Sequence, residues 1–518
     1  MTQIIITPFF LSMVIAFGSP FSGISRNLAK PDESAPQLLR NAVEAMGGEE
    51  KLRSLKTVVI EGIGHTYLIE QSERPEGPWI VNYQQTTELR DYCNHKLRRT
   101  TRARSIQAPQ WTTGTTRIIA DGAAAIQLGD KIFPGSSTQV SEAQESLALS
   151  PERVLLTALE AKDLRAASES SLQGSVQNVV AFSWRDAMVK VYLDVHTSMP
   201  TAIEFVRSYP DSFWAVWGEV KTRIYLSYWM LEADGLRYPR QWDVERNGVP
   251  YQSFAVTSLT LNAKLDANAF LISDETKMAY AAVAGRTVND LPLGLPNRPT
   301  VEIAPGIVHI PGLWNVTLVR QSDGVVIIEA PISSGYSEKV IAETKRRFPD
   351  LPIKAVISTS DAWPHIGGVR EYVARDIPVY ALDLNRPILE RLVSSSYRSR
   401  PDALERRRKA PKFQVVTRKT IVGSGSNRIE LYPIRTETGE RMMMAFFPEL
   451  GLLYGSDMVQ QQQDGSYFMP EYLAELIDAA HREKINIKSV FAMHTGIKPW
   501  GDIETVVAKS KSAPSDAN

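Results

Sequence analysis

Seven histidines and one cysteine bound the chemistry open to this chain: His65, His95, His196, His309, His365, His481, His494 and Cys93. Zinc and related ions accept imidazole nitrogen, thiolate sulfur and carboxylate oxygen. A lone cysteine rules out a cysteine-rich zinc site and an internal disulfide. A metal centre here must therefore combine a few imidazoles with carboxylates. Chemistry-bearing side chains crowd into PIKAVISTSDAWPHIGGVREYV, where Ser360, Asp361 and His365 precede Gly367-Gly368. Two later segments, LLYGSDMV with Asp457 and SVFAMHTGIKPW with His494, each end a β-rich stretch on a polar residue.

The elements that must position these residues belong to a long chain. At ~150 residues per domain, 518 residues imply two to four units. Lys+Arg and Asp+Glu are equal at 58 each, so no global field draws in nucleic acid or an anionic membrane. The N-terminus is apolar from Ile4 to about Phe17, too short to span a bilayer and suited to a signal-peptide core. It lacks Lys or Arg ahead of that core, so the signal is imperfect. Residues 1–30 are assigned to it, and a periplasmic or secreted location follows as the expectation.

Residues 33–54 read as a helix interrupted at Gly47-Gly48. From Thr57 to Asn262 the pattern becomes strands such as TVVIEGIGHTYL and MVKVYLDV, rich in β-branched and aromatic residues. Asn247-Gly248 marks a two-residue hairpin. One helix interrupts this region, starting at Ser150-Pro151. Residues 276–299 are polar and Pro/Gly-rich and read as a linker, and 506–518 as a disordered tail. Between them, strands alternate with helical patterns such as SGYSEKVIAETKRRF, which predicts a layered α/β unit.

Residues 300–505 resemble the metallo-β-lactamase-fold hydrolases. GVVIIEAP is similar to that family's early strand with its acidic end. PIKAVISTSDAWPHIGGVREYV resembles its metal loop and the following helix. RTETGERMMMAFFPELGLLYGSDMV and SVFAMHTGIKPW resemble its bridging-aspartate and final-histidine segments. The resemblance implies an αββα sandwich with metals at one sheet edge. Residues 33–275, with PQLLRNAVEAMGGEEKLRSLKTVVIEGIG and LTLNAKLDANAFLI, are similar to outer-membrane lipoprotein-carrier domains. That likeness implies a curved antiparallel half-barrel with helices over an apolar cleft. The expected fold is thus α+β in two domains. Trp184, Trp214, Trp217, Trp229 and Trp242 either line such a cleft or belong to core.

Carried over residue by residue, the family motif meets a depleted ligand set. Ser360 and Ala362 stand where the first two histidines belong, and Pro364 where the aspartate belongs. Thr438 falls at the fourth histidine. His365, Asp457 and His494 match ligands of the second metal. A standard dinuclear centre needs five histidines, and this region has His309, His365, His481 and His494. Two histidines and an aspartate still make a facial set with open positions, and Asp361 is a candidate auxiliary oxygen. Alternatively the three survive as scaffold, or Ser360 is a nucleophile activated by His365. Gln460 to Gln463, Trp363 and Pro499-Trp500 are placed around the pocket.

Two functions follow as expectations. One is a secreted hydrolase-like protein that binds at most one zinc, manganese or iron ion and, if active, works through a mononuclear site on a small molecule. The other is a non-catalytic pseudoenzyme whose N-terminal domain carries a lipid or other apolar ligand. Substrate and oligomeric state are not specified by the sequence.

Overall fold

A computed structural model describes residues 34–71, 77, 79–105, 109–462 and 464–512. The expected signal segment lies outside them, as do Gln463 and residues 513–518. The chain is mixed α/β, with one large antiparallel sheet followed by a two-sheet sandwich. No helix among the described residues is long and apolar enough to cross a membrane.

Thirteen strands between residues 57 and 261 form the first sheet. Thr57–Tyr67 is central and pairs with both Val81–Asp91 and the last strand, Val249–Leu261. The helices Ala35–Met46 and Val154–Leu159 bury their apolar stripes against it, joining Phe182, Val191 and Ile203 in one core. The break between the first two helices falls at Gly47-Gly48, as the sequence predicts. The Asn247-Gly248 turn joins two paired strands. A helix unmarked in the sequence reading, Ser137–Ala148, opens on a Ser136/Gln139 capping box. Its buried apolar positions are only Val140, Ala143 and Leu147, too sparse to stand out as a periodic stripe.

Residues 301–499 build two further sheets of seven and six strands. Period-two alternation explains how they stack. Met443, Ala445 and Phe447 of the strand Met443–Phe447 face the other sheet, while Met444 and Phe446 face helices. On the seven-stranded sheet, Val326 and Ile328 point between the sheets, while Val325 and Ile327 point at helices Ser334–Arg347 and Val369–Ala374. The layers are therefore helix, sheet, sheet, helix.

Two boundaries differ from expectation. The stretch read as a linker is partly structured, by the helix Asp274–Val283 and the short turn Val288–Asp290. Ser273 caps that helix by accepting from the Thr276 amide, and Asp274 and Glu275 suit its first turn. The expected tail is helical as far as Ser512, because Ile503 and Val507 bury one face of Trp500–Ser512. The sheet region and the sandwich also share one core. Trp363 of the sandwich stacks edge-on between Trp214 (ring centroids 4.8 Å) and Trp217 (5.2 Å). Tyr397 donates its hydroxyl to the Ala215 carbonyl across the same boundary.

Candidate metal centre

Three loops at the carboxyl ends of strands converge at one edge of the sandwich. The first follows Ile353–Ser358 and turns into the short helix Trp363–Ile366, which carries His365. Pro364 near its start fixes a helical φ at no hydrogen-bonding cost. The Gly367-Gly368 pair then permits a close approach: an added Cβ would lie 2.3 Å from the Ile332 carbonyl at Gly367 and 1.9 Å from Ser337 Oγ at Gly368. The second loop, Gly455-Ser456-Asp457, follows Leu452–Tyr454. Ser456 Oγ is 2.7 Å from Thr359 Oγ1, which ties this loop to the first. The third carries His494 and is held by Asn315, which donates from its backbone to the Met493 carbonyl at 2.9 Å and from its side chain to the Ala492 carbonyl at 3.1 Å.

His365, Asp457 and His494 offer three ligand atoms that all lie within 4.8 Å of one another. Asp457 sits between the rings, with Oδ1 3.0 Å from His494 Nε2 and Oδ2 3.4 Å from His365 Nε2. Gln460 donates to Asp457 Oδ1 at 2.9 Å and fixes its orientation. His365 is sealed off, whereas the His494 side chain is 26% exposed and forms the open side. Trp314 flanks His494 edge-on at 6.3 Å, and Phe213 of the first sheet region flanks Trp314 at 5.8 Å.

Glu329, the acid that ends GVVIIEAP, was read from sequence only as a strand end and not as part of the site; it is fully buried just after the strand Gly324–Ile328. Its carboxylate accepts from the Thr359 hydroxyl and from Tyr454 OH at 3.1 Å, and faces His365 Nδ1 at 3.8 Å. The available signal was an acid closing a run of buried aliphatics, a position with a high desolvation cost unless it is partnered. Burial disfavours the His365 imidazolium, but Asp457 and then Glu329 outweigh it and raise His365 to about 10. Burial likewise opposes ionisation of Asp457, and the two imidazoles overcome it, holding its carboxyl far below the usual range.

The donor set suits a cation. His365 Nε2 is buried without a well-formed hydrogen bond and points to Asp457, as a ligand nitrogen would, while Nδ1 faces the Glu329 carboxylate at 3.8 Å. The other residues singled out by sequence hold different places. Ser360 Oγ accepts from the Ala362 amide at 3.2 Å, Ala362 begins the short helix, and the Pro364 carbonyl accepts from Ile332 at 2.7 Å. Asp361 faces Arg441 at 4.0 Å, outside the converging three. Thr438 is bound through its amide and hydroxyl to Glu475. His309 is buried in a strand beside Thr317 Oγ1 at 3.1 Å, and His481 is exposed at a helix end. Trp363 packs against the first sheet region and Trp500 against the outer helices.

No family model matches the chain, and no curated protein matches it in sequence. Among solved structures it is similar to a metallo-β-lactamase from Erythrobacter litoralis, at 14% identity over 41% of this chain and 96% of that one, TM-score 0.31. A metallo-β-lactamase from Pontibacter korlensis gives 13% identity over 42% and 99%, TM-score 0.32. A stereoselective inverting sec-alkylsulfatase from Pseudomonas sp. gives 16% over 42% and 41%, TM-score 0.32, so the chain spans under half of that protein. Likeness at this level is partial and assigns no activity.

Proposed function

We propose that residues 300–505 form a metallo-β-lactamase-like hydrolase unit with the first metal position lost and one ion held by His365, Asp457 and His494. The convergence of these three ligand atoms within 4.8 Å, at strand ends in a helix–sheet–sheet–helix stack, carries the reading. When bound, a divalent ion there would act as a Lewis acid toward a substrate oxygen. The protein's own part is positioning. Glu329, anchored by Thr359 and Tyr454, backs His365, and Gln460 orients Asp457. Substrate reaches the centre from the His494 side, past Trp314 and Phe213, so an apolar group beside the scissile bond fits this rim. The apolar run at Ile4–Phe17 places the protein, in this reading, in a periplasm-like compartment.

Metal analysis of the purified protein tests the proposal. About one equivalent of zinc, manganese or iron is expected, lost in His494→Ala and Asp457→Ala. Folded, metal-free protein that takes up no added zinc, manganese or iron sinks it.

A further inference from the structure

A cavity of about 510 Å³ lies on the first sheet beneath the helix Ser137–Ala148. It differs from the apolar cleft implied by the lipoprotein-carrier resemblance. Strand alternation turns Asn82, Gln84, Thr86, Glu88 and Arg90 inward from one strand, while Tyr83 and Gln85 face solvent. Five arginines and three glutamates line the space.

Arg117 is solvent-exposed, and pairing among the other four leaves one cation over. Glu88 is shared by Arg90 and Arg99, and Arg90 also meets Glu152 at 2.9 Å. Arg207 meets Glu145 at 2.8 Å and Glu142 at 3.5 Å. Arg246 has no carboxylate within 4.0 Å among the described residues. Instead its guanidinium sits among the rings of Tyr251 (4.1 Å), Tyr209 (4.3 Å) and Trp214 (5.0 Å), and its Nε is buried without a hydrogen-bond partner. Ring faces recover part of the lost hydration of a cation, but a desolvated guanidinium still lacks the planar oxyanion that its fork matches. Burial pushes the Glu145 carboxyl up to about 7, above the pull of Arg207, so near neutrality Arg207 is only partly offset.

The apolar part of the cavity adjoins this pole. Arg246 lies opposite Thr222 in the strand register. Along the same two strands follow the cross-strand pairs Ile224–Val244 and Leu226–Trp242, with Ile224, Val244 and Trp242 only half-buried.

We propose that this cavity binds an amphipathic organic anion. Arg246, with Arg207 beside it, holds the carboxylate or phosphate, and the strip of Ile224, Val244 and Trp242 receives the apolar body. The site is independent of the metal reading and needs no metal. Its pole does touch the shared core, since Trp214 contacts both Arg246 and Trp363.

Calorimetric titration of the full chain with decanoate, decyl phosphate and decanol tests this. At least one anion is expected to bind ten-fold or more tighter than decanol, and comparison of the two identifies the headgroup. Arg246→Gln should erase that preference. Val244→Trp, which fills the apolar strip and leaves both arginines, should weaken both anions and decanol. Circular dichroism confirms that each variant is folded, and Arg246→Lys supplies a charge-retaining control in which affinity is partly kept. Equal binding of decanol and the anions, unchanged affinity in Arg246→Gln, or no binding of any probe overturns the proposal.

Discussion

The sandwich and the thirteen-stranded sheet place polar chemistry in opposite ways. In the sandwich, ionisable side chains sit on loops at strand ends, where three short segments meet and the strands behind them are mostly buried and apolar. In the sheet, they stand on the strand faces themselves, spread over many strands and enclosed by a helix. The first arrangement gives a compact donor set for one ion. The second gives a long, graded surface with a cationic pole and an apolar strip. Loops on a rigid scaffold concentrate few residues with high precision, whereas a sheet face offers area.

The metal centre is the most sensitive point of the molecule. Asp457→Ala removes the carboxylate that both imidazoles face, and a loss of metal affinity of about 100-fold or more is expected by competition with a chromophoric chelator. Ligand binding in the sheet cavity should stay unchanged, which keeps the two sites separable.

The boundary comes next. Trp363→Ala empties the space between Trp214 and Trp217, and about 4 kcal/mol of stability should go. Urea unfolding should split from one transition into two, one for each region. A single unshifted transition would show that the shared core does not couple them.

Acid should weaken the sandwich through His309. Burial lowers its imidazole from 6.5 to about 4. The unfolded chain then binds the proton more readily, so the contribution is complete above pH 6.5 and drains away as pH falls toward 4. The loss is about 3 kcal/mol at most. Denaturation at pH 7 and pH 4.5 should show a smaller pH difference in His309→Gln than in the parent.

The smallest effect belongs to the sheet. Gly47 has φ of +122°, and an added Cβ would lie 2.5 Å from the Gly235 carbonyl. Gly47→Ala should cost about 2 kcal/mol and leave metal content untouched, as read by thermal melts beside metal analysis.

Legibility differed between the two regions for a physical reason. Short motifs carry loop sites, so His365, Asp457 and His494 were readable one segment at a time, and all three converge. Glu329 was legible only as the acid that ends GVVIIEAP, because a single acid at a strand end does not say which side chain it will back. Arg246 and Glu145 escaped because the groups around them, Tyr209, Trp214 and Arg207, come from other segments, and Glu145 itself lies on the weakly patterned helix Ser137–Ala148. The alternation of Asn82, Gln84, Thr86, Glu88 and Arg90 was present in the sequence, but period two does not tell which face is inward.

Composition, strand and helix periodicity, turn residues and the histidine count were determined by the sequence alone. They set the alternation of elements, exclude a five-histidine centre within residues 300–505 and mark the three candidate ligands. Only the tertiary structure decided which carboxylate backs His365, that Trp363 is clasped by the other region, and that the first sheet encloses a charged cavity. Those outcomes depend on which strand face turns inward and which loops meet in space, and both are settled by packing between residues that are not neighbours in sequence.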